Sequence, residues 1–112
     1  MERVNNQVLD ILGNILMKNI DLSELGFITF TSVDVAPDLR TAKVYFSILN
    51  PNFNNKKIKI EINKRRKAFK KFMGPKLAFK NIPDLTFYLD EKFIYEEKIS
   101  KLLKETNYKK ND

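Results

Sequence analysis

The sequence predicts an α+β fold: a three-stranded sheet with helices packed on one face, in the order α-β-β-α-(α)-β. Three observations predict it. An opening stretch has apolar residues at helical spacing. Two later segments alternate with period two around a Pro-Asp turn. A long basic stretch then resumes helical spacing and is followed by one short alternating segment. A chain of 112 residues fits one domain with a modest core. That domain is expected over residues 1–105, with 106–112 a polar tail that frays.

The first helix is expected over residues 2–20, where Val4, Val8, Ile11, Leu12, Ile15, Leu16 and Ile20 make one apolar stripe. Asp21, Ser23 and Gly26 mark its exit. Strands follow at 27–35 and 41–49. In the first, Phe27, Thr29, Thr31, Val33 and Val35 alternate with Ile28, Phe30, Ser32 and Asp34; in the second, Ala42, Val44, Phe46 and Ile48 form the apolar face. Ala36-Pro37-Asp38-Leu39-Arg40 is turn chemistry, with Asp38 placed to cap its own backbone, so the pair reads as an antiparallel hairpin. After the polar loop 50–55, a helix begins near Lys56 and kinks or ends at Gly74-Pro75. Leu77 and Phe79 continue the packing, and Asn81-Ile82-Pro83-Asp84 is a second turn. A third strand, 85–89, should lie parallel to the second through the helical crossover. Ile99, Leu102 and Leu103 allow a last helix over 95–105.

The charge is concentrated. Residues 56–80 hold eleven Lys and Arg against a single acid, Glu61, a formal +10 in a protein of net +7. Compositional drift toward Lys would scatter charge over every face; it would not set Arg65 beside Arg66 in a stretch nearly free of acids. Such a segment is the electrostatic footprint of a nucleic-acid binder. At about 100° per residue, Ile58, Ile62, Phe69, Phe72 and Met73 gather on one face and Lys56, Lys64, Lys67 and Lys71 on the opposite one, with Lys70 at its edge. The lysines therefore form an outward ridge suited to phosphates. Arg65 is the misfit, since an unbroken helix puts it inside the apolar stripe and Arg66 at its border. Either its stem covers the core edge while its head reaches water, or the helix breaks near 64–68 and turns both arginines outward. In both cases the guanidinium fork suits phosphate.

Other chemistry is weakly supported. With no Cys and no His, thiol and histidine-base catalysis and the usual zinc sites are excluded. Three glycines leave no material for a phosphate-cradling loop. Asp34 and Asp38 lack a third catalytic group, and Asp38 reads as a turn cap. Tyr45, Phe30 and Tyr88 are weaker candidates, able to stack bases if exposed on a sheet face, while period two favours packing for Phe30 and Tyr88. No catalytic site, metal, cofactor or small-molecule substrate is expected. No apolar run approaches the roughly 20 residues of a membrane span, and the first residues lack a secretory-leader pattern; a soluble cytoplasmic monomer is expected.

Several segments resemble the ribosome-binding factor A family. Glu2-Arg3-Val4 precedes the first helix, and Leu25-Gly26-Phe27-Ile28-Thr29 opens the first strand. The most specific stretch, Asp34-Val35-Ala36-Pro37-Asp38-Leu39-Arg40-Thr41-Ala42-Lys43-Val44-Tyr45, is similar to the family's Val-x-x-Pro-Asp-Leu-x-x-Ala-x-Val signature. Ile82-Pro83-Asp84-Leu85-Thr86-Phe87 and Asp90 resemble its Pro-Glu-Leu-x-Phe…Asp ending, and the similarity spans residues 2–104. The resemblance implies a type II K-homology-like (KH-like) fold, α-β-β-α-α-β. It also implies a non-enzymatic assembly factor that binds the free 30S subunit late in maturation, assists processing of the 16S rRNA 5′ end and supports growth in the cold. Relatives carry Ala-x-Gly where this chain has Arg65-Arg66-Lys67, so the easiest source of a kink is missing. A kink or local distortion is still expected there, because Arg65 interrupts the apolar stripe; unbroken helical bonding through 60–72 would contradict it. The expected rRNA contacts are Lys64, Arg65, Arg66, Lys67, Lys70 and Lys71, with Lys76 and Lys80 flanking and Arg40 and Lys43 reaching from the hairpin. The alternative is a general single-stranded RNA-binding module of KH type, not tied to ribosomes; a nuclease is disfavoured by the lack of clustered metal ligands.

Overall fold

The computed structural model describes residues 2–77 and 81–90. The expected C-terminal helix at 95–105, the tail from 106, Phe79 and Lys80 lie outside the described residues. Helix α1 (Glu2–Lys18) leads into a hairpin of β1 (Phe27–Val35) and β2 (Thr41–Leu49). Then come α2 (Asn55–Asn63), α3 (Arg66–Met73), a 3-10 turn (Gly74–Lys76) and β3 (Asp84–Leu89). The strand order is β1-β2-β3, with β1 antiparallel and β3 parallel to the central β2. The parallel pairing is the one the helical crossover requires.

One core serves every element. Val8, Leu12 and Ile15 of α1, Ile58 and Ile62 of α2, and Phe69 and Met73 of α3 are buried against Val44, Phe46, Leu85 and Phe87 of the sheet. At its centre the rings of Phe30, Phe69 and Phe87 meet pairwise, with centroids 5.2–5.6 Å apart, within the range of favourable aromatic pairs.

The first strand departs from strict alternation. Phe30 pairs with Phe46, but Ser32 pairs with Tyr45, which leaves Thr31 as a bulge. The extra residue reverses the parity of the strand. Phe30, Val33 and Val35 therefore all face the core, whereas simple alternation separates Phe30 from the two valines. Phe30, 8% exposed, is a packing residue and is unavailable for stacking a base. The Thr31 hydroxyl is anchored by donating to Asp90 Oδ2 at 2.7 Å.

Local chemistry sets the boundaries. Asp38 Oδ1 accepts from Arg40 N at 3.0 Å, and Leu39 takes the left-handed φ of 62° that closes the hairpin turn. Gly26 has φ 135°, and a Cβ there would lie 3.0 Å from the carbonyl oxygens of Leu49 and Asn50; only glycine fits. Asn54 caps α2 by accepting from Lys57 N at 2.8 Å. Helix α3 stops at Met73, because Pro75 cannot donate to a helical carbonyl.

Both sheet edges are held by asparagine side chains acting as peptide mimics. Asn5 of α1 accepts from Val35 N at 2.9 Å on the β1 edge. Asn63, the last residue of α2, accepts from Phe87 N at 2.9 Å and donates to Phe87 O at 3.0 Å on the β3 edge. These bonds satisfy backbone groups that an edge strand otherwise leaves open.

Candidate nucleic-acid interface

The basic stretch does not run as one helix. It breaks between Asn63 and Arg66, where Arg65 takes φ −98°, ψ 6° and its N–H turns back three residues to Ile62 O at 3.1 Å. Its carbonyl then accepts from Phe69 N at 3.0 Å and starts α3. The distortion expected at 65–67 is therefore present, centred on residues 64 and 65, without a glycine. Arg65 stabilises the break itself. Its guanidinium donates to Glu61 O at 2.8 Å, satisfying a carbonyl near the end of α2. The same group reaches Glu24 Oε1 at 3.0 Å and Glu61 Oε2 at 3.7 Å. The helix breaks, as one reading expects, but only Arg66 turns outward; Arg65, its side chain 28% exposed, is held by Glu24 and Glu61 instead.

Because α3 starts afresh after the break, it takes its own phase. Phe69 and Met73 point inward, while Phe72, expected in the buried stripe, is 38% exposed on the flank. The reset also opens a groove between α2 and α3, a depression of about 690 Å³ lined by Lys56, Lys59, Ile60, Asn63, Lys64, Arg66 and Lys67. Among the described residues no acid lines it. A smaller hollow of about 330 Å³ shares Arg66 and Lys67 and continues past Lys70, Asp84, Leu85 and Thr86 along β3.

The expected contact residues divide. Lys64, Arg66 and Lys67 converge on the groove. Lys70 lines the smaller hollow but holds Asp84 at 2.6 Å. Lys71 and Lys76 are exposed beyond the groove, Arg65 is turned to Glu24 and Glu61, and Lys80 lies outside the described residues. Arg40 is exposed in the hairpin turn, where its carbonyl accepts from Asp84 N at 2.9 Å. Lys43 is exposed on the sheet face opposite the helices. Lys56 and Lys59, outside the expected contact set, line the groove with Ile60 and Asn63. Their signal was the spacing 56, 59/60, 63/64, 67, a single stripe at three-to-four intervals.

Nearby carboxylates are engaged by Lys64 at the groove, by Arg65 behind it and by Lys70 beyond it. A hydrogen bond from Lys64, aided by the fields of Lys64, Arg65 and Lys57 and opposed by partial desolvation, lowers the Glu61 carboxyl below its ordinary range. Asp84 is likewise lowered, first by its hydrogen bond from Lys70, then by the charges of Lys70 and Arg66. Among the described residues, Lys56, Lys59, Arg66 and Lys67 form no ion pair with an acid, so no carboxylate there offsets their charge. Such a groove can neutralise several phosphates at once. Among the described residues no cluster of His, Cys, Asp or Glu is placed to hold a metal ion, and no helix is long and apolar enough to cross a membrane.

Comparison with known proteins adds a family. Residues 1–103 match the family described as Ribosome-binding factor A. The ribosome-binding factor A of Streptococcus mutans is 33% identical over 106 residues, covering 94% of this chain and 91% of the relative. That of Natranaerobius thermophilus is 31% identical over 106 residues, covering 95% and 81%. Among solved structures, the crystal structure of ribosome-binding factor A from Thermus thermophilus superposes with a TM-score of 0.67 at 14% identity, over 79% of this chain and 93% of that one. A Thermus thermophilus homology model fitted into a cryo-electron-microscopy map of a 30S complex superposes with a TM-score of 0.59 at 14% identity, over 75% and 88%. At those identities the superpositions report fold.

Proposed function

The chain belongs to the ribosome-binding factor A family, and from that premise we propose that it binds the free 30S subunit late in assembly through 16S rRNA. The observation that carries this reading is the groove between α2 and α3, where Lys56, Lys59, Lys64, Arg66 and Lys67 converge and no acid lines it among the described residues. Lys71 and Lys76 extend its field, and Lys43 and Arg40 are outlying contacts. Phosphate contacts dominate, so shape rather than sequence is read. The protein acts in the cytoplasm as a monomer and without catalysis. By holding rRNA in one conformation it assists maturation of the 16S 5′ end, a function that weighs most in the cold, when misfolded RNA escapes slowly. The Thermus thermophilus protein fitted into a 30S complex supports the choice of partner.

Sedimentation of cell extract tests the partner. Co-migration with free small subunits and absence from 70S particles is the expected result. Retained RNA binding with no ribosomal co-migration would instead favour a general single-stranded RNA-binding module.

A further inference from the structure

Tyr45 and Tyr88 are register partners on β2 and β3, so both rings project from the sheet face opposite Val44, Phe46 and Phe87. Their centroids are 5.9 Å apart at 33°, and both residues are half-buried. The core's aromatic cluster lies on the other face and does not need them. Around the pair stand Ser32, register partner of Tyr45, and the exposed Lys43. The Lys59 ammonium lies 4.7 Å from the Tyr88 ring centroid. Lys59 also lines the groove between α2 and α3. One flexible side chain therefore belongs to both the cationic groove and the aromatic pair.

We infer that Tyr45 and Tyr88 are a stacking platform for an unpaired base of the RNA strand whose phosphates occupy the α2–α3 groove, with Lys59 bridging the two. The inference rests on the reading of that groove as an RNA-binding surface. The platform offers a π-surface that any base can match. A phosphate entering the groove offers Lys59 a charge-assisted bond stronger than an exposed cation–π contact. The ammonium then leaves the Tyr88 ring, and the freed ring takes the base. Phosphate binding in the groove and base stacking on the sheet are thereby coupled through one lysine. Single-stranded RNA is selected over duplex, because a paired base cannot present its face.

The test is binding of the full-length protein to an adenine oligoribonucleotide of about eight nucleotides, and to the same strand in a duplex. Tyr88→Leu weakens single-strand binding roughly 5- to 100-fold, as loss of one stacked base does. It leaves the salt dependence unchanged and affects the duplex little; Tyr88→Phe recovers the affinity that Tyr88→Leu loses. Ring-proton resonances of Tyr45 and Tyr88 move on titration with the single strand. Tyr45→Leu, judged by the same readouts, stands in if Tyr88→Leu does not fold. Single-strand affinity within about twofold of the parent for the leucine variant, with unmoved ring resonances, overturns the platform. The double variant Arg66→Glu/Lys67→Glu separates the two readings. If it weakens binding and Tyr88→Leu does not, the platform alone fails; if it leaves affinity and salt dependence unchanged, the groove fails.

Discussion

Arg65 directs its guanidinium toward protein while its neighbour Arg66 faces the groove, so two adjacent arginines take opposite roles. The bond from Arg65 to Glu61 O, at 28% side-chain exposure, contributes most to its effect; the link to Glu24, whose carboxylate is 68% exposed, adds little. Arg65→Ala is expected to lower stability by about 1–2 kcal/mol in urea unfolding. It should weaken subunit binding less than Arg66→Ala, and the reverse ranking would make Arg65 a contact rather than a brace. Asp84 carries a pH prediction. Its folded-state pKa is lowered chiefly by the Lys70 hydrogen bond, so the folded state binds its proton less readily than the unfolded state. The stabilisation is present above the ordinary aspartate range and is lost as pH falls below about 4. Asp84→Asn should flatten the acid limb of a stability–pH curve in that window; an unchanged limb contradicts the role given to the ion pair.

At the scale of elements, the junction of α2, α3 and β3 decides whether a groove exists. Asn63 closes α2, holds both backbone groups of Phe87 and lines the groove. Asn63→Ala is expected to cost about 1–3 kcal/mol, because it leaves a strand-edge donor and acceptor without partners. Amide exchange at Phe87 should rise in step, and an unchanged exchange rate would refute the clamp. Gly26→Ala, forced against two carbonyls at φ 135°, should cost about 1–3 kcal/mol in thermal or urea unfolding. Much of this scale was legible in the sequence. The hairpin strands fall at the predicted 27–35 and 41–49 because period-two alternation and a Pro-Asp turn are local signals. The bulge at Thr31 was not legible: its cause is pairing with β2 and an anchor on Asp90, both remote in sequence. A single helical phase over 58–73 puts Phe72 in the buried stripe, but the break between α2 and α3 resets the phase and leaves it exposed on the flank. Arg65 announced the break by its misfit, but its partners, Glu24 above all, come from another part of the chain. The spacing of Lys56 and Lys59 was legible as a stripe, but that the stripe lines a groove follows only from how α2 and α3 meet at the break.

For the whole molecule, the fold serves to carry an asymmetric charge. The +10 of residues 56–80 within a net +7 is mounted on two short helices whose apolar sides are fixed to the sheet, while described acids near the groove pair with its outer cations. Reversing two groove charges should remove roughly two phosphate contacts. That would lower the slope of log affinity against log salt for single-stranded RNA by roughly 1.4, while the melting curve stays close to that of the parent, since Arg66 and Lys67 are exposed. The most direct measurement is therefore sedimentation of the parent and of Arg66→Glu/Lys67→Glu with purified 30S subunits at moderate salt. The parent should co-migrate with free 30S and not with 70S particles, and the folded double variant should remain at the top of the gradient. Co-migration of the double variant undiminished from the parent would contradict the groove as the docking surface.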